Sequence, residues 1–259
     1  MSAMTIDVVD LREFYSSRLG ILARRLINRG IQSRWQDARG DRVLGFGYPT
    51  PYLGLFRDRC ERCIAFMPAA QGVLKWPTAR STLSTLVDEH ALPLPDAAVD
   101  RILLVHALEM SDDPERLLRE VWRVLAPAGR LLAIVPNRRG VWARLDNTPF
   151  GHGRPYSRSQ IADLLRRTWF TPTAWSEALF VPPLGQGWLL RSAPAWERIG
   201  ASTSLPFAGV HVVEATKQVV RAQPVKRERI RLIPSLEPSL VPSPTPMAAD
   251  QPEPRALRR

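Results

Sequence analysis

Nine residues, Val43-Leu44-Gly45-Phe46-Gly47-Tyr48-Pro49-Thr50-Pro51, combine a short apolar run, two closely spaced glycines and a proline-led helix start. A strand that stops at a glycine turn and then opens a helix is where an α/β sheet brings its backbone closest to a nucleotide cofactor. Gly45 and Gly47 can supply tight turns and close backbone approach. Pro49 has no N–H and a fixed φ, so it removes a donor and stiffens the turn. The only two cysteines, Cys60 and Cys63, have C-x-x-C spacing. A zinc site needs about four ligands, and no second cysteine pair or nearby histidine cluster supplies them. A redox pair has to open a helix after a strand. Here the pair falls where a helix gives way to a strand. Two thiols at a packed edge, with no metal, are the expectation.

The elements that must position these residues follow from periodicity. Val8, Leu11, Phe14, Tyr15, Leu19, Leu22, Leu26 and Ile27 recur near helical spacing and predict helix over residues 8–35, with Gly20 and Gly30 breaking or ending parts of it. Strands are expected at Arg42–Phe46, Arg62–Met67, Leu83–Val87, Arg101–Leu108 and Arg130–Val135, with later ones at Thr173–Val181 and Val210–Ala215. Thr50 can cap a helix that begins at Pro51 and runs to about Arg59. A helix from Asp113 ends at Pro127-Ala128-Gly129, Ser157 or Ser159 can cap another, and a short one is expected over Ala193–Ile199. Apolar strands alternating with amphipathic helices predict an α/β fold, a mostly parallel central sheet flanked by helices.

The chain has 259 residues and a net charge of +11, a balance that favours anionic partners such as RNA or a phospholipid surface. Lys217, Arg221, Lys226, Arg227, Arg229 and Arg231 lead into a stretch rich in proline and poor in large apolar residues. Residues 222–259 are therefore expected to be a disordered basic tail. That run carries no stacking aromatic, which argues against a specific single-strand binder. No segment approaches the ~18 apolar residues of a membrane span. The N-terminus shows no basic start followed by an apolar core, so no secretory signal is expected. With so few cysteines, a cytoplasmic location is the expectation.

The order Leu92-Pro93-Leu94-Pro95-Asp96-Ala97-Ala98-Val99-Asp100, then the strand to Leu108-Glu109, then Asp113-Pro114-Glu115-Arg116-Leu117-Leu118-Arg119-Glu120 and Val124-Leu125-Ala126-Pro127-Ala128-Gly129-Arg130-Leu131 resembles the class I S-adenosylmethionine-dependent methyltransferases, and more narrowly the type 11 methyltransferase domain. The resemblance is clear over residues 40–140 and extends by order of elements to about 215. It implies a Rossmann-like domain over residues 8–220, S-adenosylmethionine as cofactor, and methyl transfer to an unidentified acceptor. It assigns cofactor contacts to Gly45, Phe46, Gly47 and Tyr48 after the first strand, Met67 after the second, and Asp88 and Glu89 after the third. The cofactor motifs depart from the family's. Pro49 stands where a further glycine is usual, and Met67-Pro68 stand where a carboxylate grips the ribose diol.

Methyl transfer asks the protein to align donor and acceptor, exclude water and sometimes remove a proton. Candidates for the proton lie after the fourth and fifth strands: His106, Glu109 and Tyr156, with His152 in the same loop as Tyr156. The residues by themselves favour reading His106 as a hydrogen-bonded, inert histidine inside an apolar strand. Residues 137–156 are long for a connection and could form a lid. Two other functions stay open: an inactive methyltransferase-fold scaffold, and a basic nucleic-acid-binding protein.

Overall fold

Val43–Phe46, Ile102–Val105 and Leu131–Val135 are almost wholly apolar because their strands are covered on both faces. A computed structural model describes residues 6–78, 80–184 and 207–219, together with Ser192, Ala193, Trp196, Glu197 and Gly200. The tail at 222–259 and most of the expected helix at 193–199 lie outside the described residues.

The strands are β1 (Arg42–Gly47), β2 (Arg62–Pro68), β3 (Ser84–Val87), β4 (Val99–Val105), β5 (Leu125–Pro136), β6 (Phe170–Ala178) and β7 (Val210–Lys217). They form one sheet in the order β3-β2-β1-β4-β5-β7-β6. The first five run parallel, and β7 is antiparallel to both β5 and β6. The chain order reverses between β1 and β4, which makes the carboxyl ends of those two strands the switch point where such sheets bind ligands.

Alternate strand residues feed two cores. Val43, Met67, Leu103, Val105, Leu132 and Ile134 pack under α1 (Val8–Ser16) and α2 (Arg18–Arg34). Leu44, Phe46, Ile102, Leu104, Leu131 and Ala133 pack on the opposite face under α4 (Pro114–Val124) and α5 (Arg158–Arg167). A short helix α3 (Thr50–Leu53) follows β1. α4 begins on Asp113, whose Oδ1 accepts the Arg116 N–H at 3.0 Å, and buries Leu117, Leu118, Val121 and Val124 at helical spacing. α5 opens on a capping box between Ser157 and Gln160.

Several boundaries differ from the sequence expectation, among them β6, which runs Phe170–Ala178 rather than Thr173–Val181. The N-terminal helix breaks at Ser17, whose hydroxyl accepts the Gly20 N–H, and Gly20 and Gly30 lie within α2. Gly20 is needed at that corner because a Cβ would lie 1.9 Å from the Phe14 carbonyl oxygen. β4 stops at Val105, so His106 to Leu108 form the turn beyond it. Pro127-Ala128-Gly129 lie inside β5, where the pairing with β4 shifts between Val99 and Arg101 and Ala128 takes a φ of 62°. Turn-forming residues there make an irregularity in a strand that starts as soon as α4 ends.

Candidate functional site

The turn after β1 is built as its glycines require. Gly47 has a φ of 89°, and a Cβ there would lie 2.1 Å from the Val105 carbonyl oxygen. A Cβ on Gly45 would lie 2.5 Å from the Pro49 side chain, so the proline ring covers the glycine. The Tyr48 N–H donates to Val105 O at 2.7 Å, across to β4. Pro49, rather than Thr50, occupies the cap position of α3, with no side-chain capping bond, and the helix ends at Leu53 instead of continuing to Arg59. Residues 54–59 continue as turns closed by short-range bonds, such as Leu55 N–H to Tyr52 O at 3.0 Å and Arg59 N–H to Phe56 O at 2.8 Å.

The other residues assigned to the cofactor diverge in place. Tyr48 and Met67 are buried in the core beneath α1. Phe46 points to the opposite core. Asp88 is exposed, and its Oδ1 accepts the His90 N–H at 2.8 Å, closing its own turn. Glu89 accepts the Ser111 hydroxyl at 2.8 Å and lies 3.3 Å from His90 Nε2. Burial pushes the Glu89 carboxyl upward. The connection from β2 to β3 carries no helix, and within it Gln71 is buried.

At the end of β4, His106 and Glu109 come together, each 1% exposed. His106 adopts a φ of 49°, a left-handed conformation uncommon outside glycine. Its Nδ1 lies 3.1 Å from Glu109 Oε1, and its Nε2 lies 2.9 Å from the hydroxyl of Tyr15 on α1. The Tyr52 hydroxyl donates to that of Tyr15 at 3.0 Å. The bonds form one polarised chain: Tyr52 to Tyr15, Tyr15 to Nε2, and Nδ1–H to the carboxylate. The Tyr15 ring stacks on Tyr48 with centroids 5.6 Å apart and 23° between planes, and Phe150 meets His106 at 5.0 Å. Burial raises the Tyr15 phenol well above its ordinary range, so it stays a donor. Glu109 Oε2 and Gln71 Oε1 are buried with no hydrogen-bond partner among the described residues.

Tyr15 is the member that sequence reasoning placed only in a helix core. Its helical spacing with Leu11 and Leu19 carries no mark of a polar role.

Residues 137–156 fold over this end of the sheet through two short 3₁₀ turns, Trp142–Arg144 and Pro149–Gly151. The Tyr156 hydroxyl donates to Leu108 O at 3.1 Å, and burial pushes the phenol up to about 12. His152 Nε2 bonds the Asp146 carbonyl at 2.8 Å within its own loop. These two hold loops rather than joining His106 and Glu109. A cavity of about 780 Å³ opens beyond them, with Asp112, Arg138, Arg154, Tyr156, Gln160 and Arg167 in its walls.

Elsewhere, Cys63 is buried on β2 and Cys60 is half-buried, both as free thiols. Lys217, at the head of the expected basic run, donates to Leu125 O at 2.6 Å and sits 4.0 Å over the Trp122 ring. The rest of that run lies outside the described residues. Among the described residues no cluster of potential ligands suits a metal ion, and no helix is long and apolar enough to cross a membrane.

Comparison with known proteins fits this architecture. Residues 43–133 match the family described as a methyltransferase domain. Over 99 residues the chain is 30% identical to demethylmenaquinone methyltransferase of Thermus thermophilus, covering 38% of each chain. The match thus spans well under half of that relative. An S-adenosylmethionine-dependent methyltransferase of Thermotoga maritima superposes with a TM-score of 0.55 at 17% identity, over 82% of this chain and 96% of that one. The [4+2]-cyclase SpnF superposes with a TM-score of 0.51 at 21% identity, over 76% of this chain and 81% of that one. Fold and strand order define a Rossmann-like class I methyltransferase architecture. Within it, residues 43–133 carry the match to a methyltransferase domain.

That architecture implies S-adenosylmethionine. With α1 packed across these strand ends, the residues offer that group only part of what the family supplies. The Val8 N–H donates to Gln71 O at 2.8 Å beyond β2, and a Cβ on Gly72 would lie 3.1 Å from the Val8 side chain. From there α1 crosses to β4, where Tyr15 fills the space against Tyr48 and His106. The Tyr48 N–H is spent on Val105, Pro49 has none, and no carboxylate ends β2. The unpartnered oxygens of Gln71 and Glu109 nonetheless lie in this buried region. They are acceptors suited to a ligand that brings hydrogen-bond donors.

Proposed function

We propose that the chain is an S-adenosylmethionine-dependent methyltransferase whose cleft is gated by α1. The observation that carries this reading is the buried His106–Glu109 pair at the carboxyl end of β4. A packed interior has no need of a histidine held at positive φ beside a carboxylate with an oxygen left unpaired. Such strain and incomplete pairing concentrate at functional sites. The match of residues 43–133 to the methyltransferase domain supports the same reading.

The cofactor, when bound, supplies an activated methyl group on a sulfonium. His106 Nε2 is placed to accept a proton from a hydroxyl in the position that Tyr15 holds now. Glu109 holds Nδ1–H, fixes the tautomer and stabilises the charge that forms on the ring. The loop at 137–156, with Phe150 against His106, keeps water from that nitrogen.

Calorimetric titration with S-adenosylhomocysteine tests the reading on the wild type and on Leu11→Ala, which loosens α1. Binding is expected in both and tighter in the variant, because the closed arrangement reduces apparent affinity by the fraction of open molecules. Absence of binding in both would leave the inactive scaffold, the second reading, which Met67-Pro68 at the end of β2 favours.

A further inference from the structure

The position of Tyr15 has its own chemistry. Its ring is stacked on Tyr48, edge-on to Phe14 at 5.2 Å, and at 5.9 Å from the His106 ring. Its hydroxyl donates to a nitrogen whose opposite side is tied to a carboxylate. The two ends of α1 also do different things. Val8 lies over the loop after β2, and Tyr15 lies over the end of β4. The place that Tyr15 occupies near β4 thus holds a flat ring with a proton acceptor at its edge.

We propose that the cleft takes a hydroxyaromatic ligand in the position now filled by Tyr15, with the ligand's hydroxyl on His106 Nε2. Tyr15 is then an internal competitor that holds the site shut. Neutral His106 is an acceptor at Nε2 only while Glu109 keeps the proton on Nδ1, so recognition is of a hydroxyl and not merely of a ring. An apolar ring without a hydroxyl would leave Nε2 buried and unpaired. The inference deepens the methyl-transfer reading and rests on it for the ligand's role as acceptor. Its binding step needs no cofactor.

The test is equilibrium binding of 4-nitrophenol, with 4-nitroanisole as the hydroxyl-free control, on the full chain without cofactor. Wild type is expected to bind 4-nitrophenol saturably and about tenfold more tightly than the anisole, the worth of one hydrogen bond to a polarised partner. Tyr15→Phe keeps the packing and loses the competing bond, so it binds 4-nitrophenol several-fold more tightly than wild type. His106→Asn, a residue tolerant of positive φ, is expected to bind both probes alike. Equal affinity of wild type for the two probes overturns the proposal. So does binding confined to a Tyr15→Ala variant, which would mark an engineered cavity. The two readings fail separately. Binding of 4-nitrophenol without S-adenosylhomocysteine affinity keeps the hydroxyaromatic site and sinks methyl transfer; the reverse result sinks the site alone.

Discussion

The hydroxyl of Tyr15 lies 2.9 Å from Nε2 of His106, although 91 residues separate them in the chain. This bond joins the first helix to the end of the central strand. It places an aromatic side chain of the protein where a methyltransferase fold ordinarily meets its ligands. Helix α1 and the buried His106–Glu109 pair are thus one structural unit.

Glu109→Ala is expected to cost about 1–3 kcal/mol of stability, because it leaves the His106 Nδ1–H buried without an acceptor. Glu109→Gln retains an oxygen acceptor and should cost less. Urea denaturation of both variants checks the order. If the two lose stability equally, the bond to His106 contributes nothing of its own.

Gly47→Ala is expected to destabilise far more than Gly40→Ala. Both glycines have positive φ, but a Cβ at Gly47 meets the Val105 carbonyl oxygen at 2.1 Å, whereas nothing lies within 4 Å of one at Gly40. Gly40→Ala should cost about 1 kcal/mol, the strain of the conformation alone. Comparable midpoints for the two variants would contradict the close approach of the first turn to β4.

Arg123 ties α4 to the connection before β4. It donates to Glu120, Asp96 and the carbonyls of Leu92 and Leu94. A lysine cannot reproduce that planar fork. Arg123→Lys should therefore cost about 1–3 kcal/mol despite the retained charge. Denaturation within experimental error of wild type would show that the charge suffices.

Acid should weaken the fold through Asp100 and Glu120. Hydrogen bonds from Arg42 and Arg123, respectively, hold their carboxyls below the usual range. A carboxylate lowered in the folded state adds stability that is complete above its unfolded pKa, roughly 4. That stability is lost as the pH falls through the folded value. Asp100→Asn should flatten the decline of the thermal midpoint in acid, and an unchanged slope would exclude this ion pair as a cause.

The thiols should differ in reactivity. Burial first, then the neighbouring Cys60, pushes the Cys63 thiol up to about 12. Cys60 is half-buried, and burial raises it too. Alkylation with iodoacetamide followed by mass spectrometry should modify Cys60 first and Cys63 only on unfolding. Equal rates in the native state would mean that β2 is not packed as described.

The sequence by itself determined the fold to a large degree. The spaced pattern from Leu92 to Leu131 carried the domain, and apolar runs such as Ile102–Val105 marked buried parallel strands. A serine cap at Ser157 or Ser159 could be read in place because capping is local, while the structure settled it on Ser157 paired with Gln160. The sequence also marked Gly45, Gly47, His106 and Glu109 as residues of interest. Boundaries were less legible at Ser17 and at Pro127-Ala128-Gly129, where contacts between elements outweighed local turn preference. Only the tertiary structure decided what the first turn and His106 face. Tyr15 reads as one more apolar position of an amphipathic helix, since periodicity reports which side of a helix is buried and not what it is buried against. The packing of α1 across the ends of β1, β2 and β4 brings its phenol to His106 and covers the strand ends at which the sequence suggests a cofactor.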